Sequence, residues 1–279
     1  MRSETAMLDQ ILAFGREDDN IRAITLNGSR VNPGAEKDPY RDYDLVFHVK
    51  DLTPFLNDPG WCRIFGEIVI AQTPYFMEDS KDEFPNFMSW YKDGSRTDIR
   101  VQTLAGLRTY LAEDSLTSVL LDKDQCIPCM PEASDWMHHL KQPSRAKLAD
   151  TVNEFYWVSL YVSKALARRQ YIAAAKFLEI VREQLFCLLA WNCAHEEEYT
   201  INFGSHWKFL EAHLTEEERS AVWASYALSD PQGIYDSLAQ CRDLFAKTLS
   251  AYSKKTGYQV SENVDAIQTL ERTWLVPTK

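Results

Sequence analysis

From Ile21 to about Leu104, apolar and polar positions alternate with period two. After Pro143 they recur at helical spacing. In the first region IRAITLNG (21–28) reads as a strand ending in a glycine, and YDLVFHVK (43–50) as a second strand. EIVIAQT (67–73) is a short apolar run that stops before Pro74. FMSWYKDGSRTDIRVQTL (87–104) reads as a hairpin folded on the turn dipeptide Asp93-Gly94. A helix over Glu4 to Gly15 precedes this region, and a second, from Ala105 to about Leu121, follows it.

After Pro143 the pattern predicts long helices. Ser144 is placed to cap the first, SRAKLADTVNEFYWVSLYVSKALARR. QYIAAAKFLEIVREQLFCLLAWNC, HWKFLEAHL, TEEERSAVWASYAL and PQGIYDSLAQCRDLFAKTLSAYSKKTG follow. Thr215 is placed as the first residue of a capping box. The aperiodic stretch CIPCMPEASD, with two prolines, separates the halves, so the expected division is 1–135 and 136–279. Trp157 and Trp191 fall at helical spacing and are expected in a bundle core.

Charge adds to this picture. Nearly all of the net charge of −11 lies in residues 1–135. An acidic half of this kind excludes a surface for long nucleic acid and suits a cationic substrate or a metal ion. The most apolar stretch carries Lys176, Glu179, Arg182 and Glu183, which excludes a membrane span. MRSETAMLDQ has no apolar core of a signal peptide, so the expected location is cytoplasmic. Cys126 and Cys129 form one C-x-x-C pair without the second pair that a structural zinc site needs. His138 and His139 have no ligand partner at helical spacing and are expected at the surface.

The candidate chemistry begins at Asp42 and Asp44. Residues two apart on a strand project to the same face, so these carboxylates point together while Tyr43, Leu45, Phe47 and Val49 point the other way. Two like charges so close repel unless a cation sits between them. A divalent ion bound by carboxylates and substrate phosphates would serve. Asp98 shares a face with Arg100 and Gln102, and becomes a third acid if its strand pairs beside Asp44. Such a trio suits metal-assisted phosphoryl transfer, with Asp98 able to take the proton of the attacking hydroxyl. Gly28 lets the backbone approach a ligand closely, and Ser29 can offer its hydroxyl and N–H to phosphate oxygens.

The combination of strand, Gly-Ser turn, loop, Asp-x-Asp strand and later strand acid resembles the nucleotidyltransferase superfamily that includes DNA polymerase β. TLNGSR (25–30), DYDLVFHV (42–49), IFGEIVIAQTP (64–74), DGSRTDIRV (93–101), VLLDKD (119–124), NEFYWVSLYVSKALAR (153–168), EIVREQL (179–185) and WKFL (207–210) extend the resemblance to the aminoglycoside 6-adenylyltransferases, which modify streptomycin. The resemblance implies an α+β chain: a polymerase-β-like nucleotidyltransferase domain with a mixed sheet, then a C-terminal helical bundle that binds substrate. It implies Mg²⁺-dependent transfer of AMP from ATP to a hydroxyl of the drug, with release of pyrophosphate. By position, Asp42, Asp44 and Asp98 match the metal-binding and catalytic acids, and Gly28 and Ser29 the phosphate-contacting turn. Arg30 and Lys208 are placed to meet nucleotide phosphates.

Glu154 lies on a helix face with Val158, Tyr161 and Ala165. There it would either pair with a cation such as Arg182 or receive the cationic groups of a substrate. At Gln170, Lys176, Ser205 and His206 the chain departs from the family pattern, so the reaction type is more firmly indicated than the acceptor. A nucleotidyltransferase with another small-molecule or protein acceptor, and a non-catalytic nucleotide-binding module, are the alternative readings. The sequence leaves the oligomeric state open.

Overall fold

The computed structural model describes residues 2–259 and 264–275. The chain divides into two compact units, residues 1–137 and 138–279.

The first unit opens with helix α1 (Glu4–Glu17), capped by Ser3, whose side chain accepts from the Ala6 N–H. Six strands follow: β1 (Ile21–Asn27), β2 (Tyr43–Val49), β3 (Ile68–Gln72), β4 (Asn86–Tyr91), β5 (Arg96–Thr103) and β6 (Thr117–Asp122). They form one sheet in the order β3-β4-β5-β2-β1-β6. β2 and β5 pair in parallel, whereas all other neighbours are antiparallel. The sheet is therefore mixed, as expected. Two short helices, α2 (Thr53–Asn57) and α3 (Leu107–Tyr110), lie in the connections.

Period-two alternation decides which face is filled. Ile24 and Leu26, Tyr43, Leu45 and Phe47, Phe87 and Tyr91, and Ile99 and Val101 are buried on one face, joined by Met7 and Ile11 of α1 and by Trp61 and Phe65. The large rings there pack edge to face and tilted around Trp61. The other face carries Asn27, Asp44, Asp98 and Met88 in one row, with Thr25, Val46 and Arg100 in the next.

The helix expected from Ala105 to about Leu121 is not formed. A 3-10 turn (Leu104–Gly106) and α3 end at Tyr110, and Thr117–Asp122 is the edge strand β6, paired with β1. The β-branched Thr117 and Val119 suit a strand, and the pairing with β1 overrides the weak helical periodicity of the segment.

The second unit is helical: α4 (Arg145–Ala167), α5 (Tyr171–Glu196), α6 (Glu216–Ala224), α7 (Pro231–Thr256) and α8 (Val264–Leu275). Ser144 caps α4 by accepting from the Lys147 N–H. Thr215 and Glu218 form the capping box of α6. Gly257, in the left-handed region at φ 69°, closes α7. The core of this unit comes from α4, α5 and α7, with Phe155 stacked on Phe245 at a centroid distance of 3.7 Å.

Two expectations about this unit are corrected. HWKFLEAHL is not an α-helix but two 3-10 turns, Ser205–Trp207 and Leu210–His213. Positive φ at Gly204, His206 and Trp207 breaks any continuous helix there. Lys208 therefore sits between two turns rather than at a helix start. Trp191 is in the core, but Trp157 is 54% exposed. Its indole Nε1 donates to the Tyr161 hydroxyl at 3.0 Å on the open side of α4.

Candidate active site

The candidate site lies on the first unit, where β1 ends and β2 and β5 begin. Register places Thr117, Asn27, Asp44, Asp98, Met88 and Gln72 side by side across all six strands. Directly paired residues point their side chains to the same face. Asp44 and Asp98 are thus neighbours across the parallel β2–β5 pair, although 54 residues separate them in sequence, and Asp42 stands one step before β2.

Gly28 and Ser29 form a 3-10 turn with Arg30 directly after β1. Gly28 adopts φ +69°, and a Cβ there would lie 2.7 Å from Asp44 Oδ2, so the turn closes directly on this carboxylate. Its backbone is pinned by the Gly28 N–H donating to the Leu116 carbonyl at 3.1 Å. Ser29 is half-buried beside it.

Arg96, at the start of β5, was not singled out from sequence. Its Nη1 donates to Asp42 Oδ2 at 2.6 Å and its Nη2 to Asp98 Oδ2 at 3.3 Å. Period-two alternation puts Arg96 on the face of Asp98, and that is the signal that could have found it. Burial pushes the Asp42 carboxyl above its ordinary range; Arg96 pulls it down and Asp98 pushes it up. Three carboxylates with no sulfur or imidazole make an all-oxygen donor set, which suits a hard divalent ion. Among the described residues no three such side chains are gathered closely enough to enclose an ion, and the Arg96 guanidinium provides the positive charge between Asp42 and Asp98.

Arg30 differs from expectation. Its guanidinium turns inward, donating from Nε to the Asp42 carbonyl at 2.9 Å and from Nη2 to the Arg41 carbonyl at 2.6 Å. It also pairs with Glu4 and covers the Tyr43 ring at 3.5 Å. With all these partners it holds the loop between the turn and β2 in place and is not presented to a phosphate.

Below the acid row the same face is closed by Tyr110. Its hydroxyl bonds Thr25 Oγ1 at 2.8 Å and donates to Asn27 Oδ1 at 2.6 Å, while Asn27 Nδ2 donates to Thr117 Oγ1 at 2.9 Å. His48 is fully buried under the Tyr110 ring, at a centroid distance of 4.9 Å. Burial, with Arg100 nearby, lowers its pKa to about 4. Asn27 and Tyr110 were also missed from sequence, although Asn27 shares the alternation of Thr25 and immediately precedes Gly28.

In the second unit, Glu154 is exposed on α4, on the side that carries Trp157 and Tyr161. The alternative pairing with Arg182 is not made: Arg182 is buried, donates to the Ser225 carbonyl at 2.9 Å and lies over the Tyr226 ring. Lys208 is exposed, its ammonium 4.9 Å from the Phe209 ring centroid. Lys176 is paired with Glu179 at the surface of α5.

The class to which these features point is a nucleotidyltransferase, and comparison with known proteins agrees. The family model described as streptomycin adenylyltransferase matches residues 1–270. The aminoglycoside 6-adenylyltransferase of Bacillus subtilis (strain 168) is 34% identical over 272 residues, covering 96% of each chain. Its counterpart in Campylobacter jejuni is 30% identical over 93% of this chain and 91% of its own. That of Staphylococcus aureus is 31% identical over 88% and 89%. A crystal structure of an aminoglycoside 6-adenyltransferase from Bacillus subtilis aligns with 98% of this chain and 99% of its own, at 29% identity and a TM-score of 0.49. The chain belongs to the streptomycin adenylyltransferase family, a family of nucleotidyltransferase enzymes.

Proposed function

We propose that this enzyme transfers AMP from ATP to a hydroxyl of an aminoglycoside, with streptomycin as the acceptor, and so confers resistance to the drug. The observation that carries the reading is the register of Asp44 beside Asp98 on a parallel strand pair, with the Gly28 turn closed on Asp44. The names of the relatives support an aminoglycoside as the class of acceptor.

Asp42, Asp44 and Asp98 supply the carboxylate oxygens that would hold Mg²⁺ together with the phosphates of ATP, which would complete a site that the three side chains do not enclose by themselves. Once bound, the ion would act as a Lewis acid on the phosphate oxygens. The Ser29 hydroxyl and N–H bind the phosphates of ATP, on a turn whose close approach Gly28 allows. Asp98 takes the proton of the acceptor hydroxyl. The hydroxyl oxygen forms a bond to the α-phosphorus, the bond from that phosphorus to the α,β-bridging oxygen breaks, and pyrophosphate leaves. Arg96 supplies positive charge beside Asp42 and Asp98, and Arg30 positions the loop that carries Asp42. In the helical unit, Glu154 receives a guanidinium or ammonium group of the acceptor, and Lys208 supplies a cation for the nucleotide phosphates.

The test is pyrophosphate release from ATP and Mg²⁺, with and without streptomycin, for the wild type and Asp44→Asn. Release that requires both the drug and Asp44 is expected, the variant losing on the order of 10²–10³-fold with its fold intact. Near-full transfer by Asp44→Asn would overturn the role of the acids. Release with a different acceptor only would overturn the drug assignment.

A further inference from the structure

Asn27 is the direct antiparallel neighbour of Asp44 and immediately precedes Gly28. Side chains so paired lie about 5 Å apart at Cβ and point to one face, so the Asn27 amide lies over the same patch as the Asp44 carboxylate. The amide is held at both ends by hydroxyls. The Tyr110 hydroxyl donates to Oδ1 at 2.6 Å and Nδ2 donates to Thr117 Oγ1 at 2.9 Å. The Thr25 hydroxyl lies 2.8 Å from the Tyr110 hydroxyl and bonds to it. Thr25, Tyr110, Asn27 and Thr117 are thus joined in one chain of bonds. The second Nδ2 proton has no partner among the described residues, and Asn27 is half-exposed. Both hydroxyls anchor the amide in place beside Asp44.

We propose that Asn27 is a phosphate-contacting residue, donating its second amide proton to a non-bridging phosphate oxygen of the nucleotide, and that Tyr110 is a positioning residue that fixes the amide for this contact. The inference rests on the nucleotidyl-transfer reading above and adds two residues to it. In Tyr110→Phe the Oδ1 atom loses its donor. The amide then keeps only its Thr117 anchor and no longer stands in one place for the contact.

The experiment is equilibrium binding of Mg-ATP to the full chain by isothermal titration, for the wild type, Asn27→Ala, Tyr110→Phe and the double variant, with the melting temperature of each recorded. A hydrogen bond to a charged oxygen corresponds to about a 10-fold change in Kd or more. Each single variant is expected to weaken binding by about this factor, and the double variant to be no weaker than Asn27→Ala alone. Should Asn27→Ala melt far below the wild type, Asn27→Ser takes its place in the cycle. Wild-type Kd in Asn27→Ala, or losses that multiply in the double variant, would overturn the proposal, as would a wild type that does not bind Mg-ATP. Because the readout needs no acceptor, an enzyme that binds ATP but ignores streptomycin would refute the drug assignment and leave this inference standing.

Discussion

Gly28 and Asp44 are fitted to each other: the space a Cβ would take on Gly28 lies 2.7 Å from Asp44 Oδ2. Gly28→Ala meets two obstacles, the carboxylate and a left-handed φ of +69°. The backbone penalty alone is about 1–2 kcal/mol. The expected outcome is a melting temperature lowered by several degrees together with AMP transfer reduced at least about 100-fold. A variant that kept wild-type transfer would show that the turn does not need to close on Asp44.

Arg30 works through shape as much as charge. Lysine at this position keeps the charge but cannot reach two backbone carbonyls, Glu4 and the Tyr43 face together. Arg30→Lys is therefore expected to destabilise the first unit by about 1–3 kcal/mol, read by denaturant unfolding. If Arg30 contacted phosphate directly, the charge-conserving change would leave stability untouched and raise the KM for ATP instead.

His48 predicts a specific acid sensitivity. Its folded pKa is about 4 against an ordinary 6.5. Between these values the unfolded chain takes up a proton that the folded chain refuses. Stability from this group is complete above pH 6.5 and falls as pH drops toward 4, by about 3 kcal/mol in all. His48→Gln removes this contribution, so its unfolding free energy should fall less steeply than the wild type between pH 6.5 and 4. Parallel curves would mean that His48 takes up a proton normally in the folded protein.

Glu154 is exposed and pairs with no cation among the described residues. Glu154→Gln keeps its shape and removes the charge. The expected result is a KM for streptomycin raised about 10-fold, with the KM for ATP and the melting temperature unchanged. An unchanged KM for the drug would remove Glu154 from the acceptor site.

Much of this was legible in the sequence, and the physical reason is local. The alternation of YDLVFHV fixes the face on which Asp44 stands. The dipeptide Asp93-Gly94 fixes the β4–β5 hairpin, and Ser144 and Thr215 announce the helix starts they cap. What was not legible depends on partners distant along the chain. β6 was read as helix because its pairing with β1 lies 90 residues away, as the Asn27–Thr117 bond measures. Arg30 was read as facing phosphate because nothing local reveals that Glu4 and two carbonyls surround it. Trp157 and Trp191 have equivalent helical patterns, yet only Trp191 finds a neighbouring helix to cover it.

The parallel pairing of β2 with β5 has a consequence for how the enzyme comes into being. No hairpin can make such a pair, so Asp42 meets Arg96 only after a loop of 54 residues has closed. Contacts of this range form slowly, because the chain loses entropy before it gains the interaction. A nascent or partly folded first unit therefore holds its acids apart. If the acids hold the nucleotide as proposed, ATP binding needs the completed sheet, and on refolding from denaturant its recovery should mark the last step.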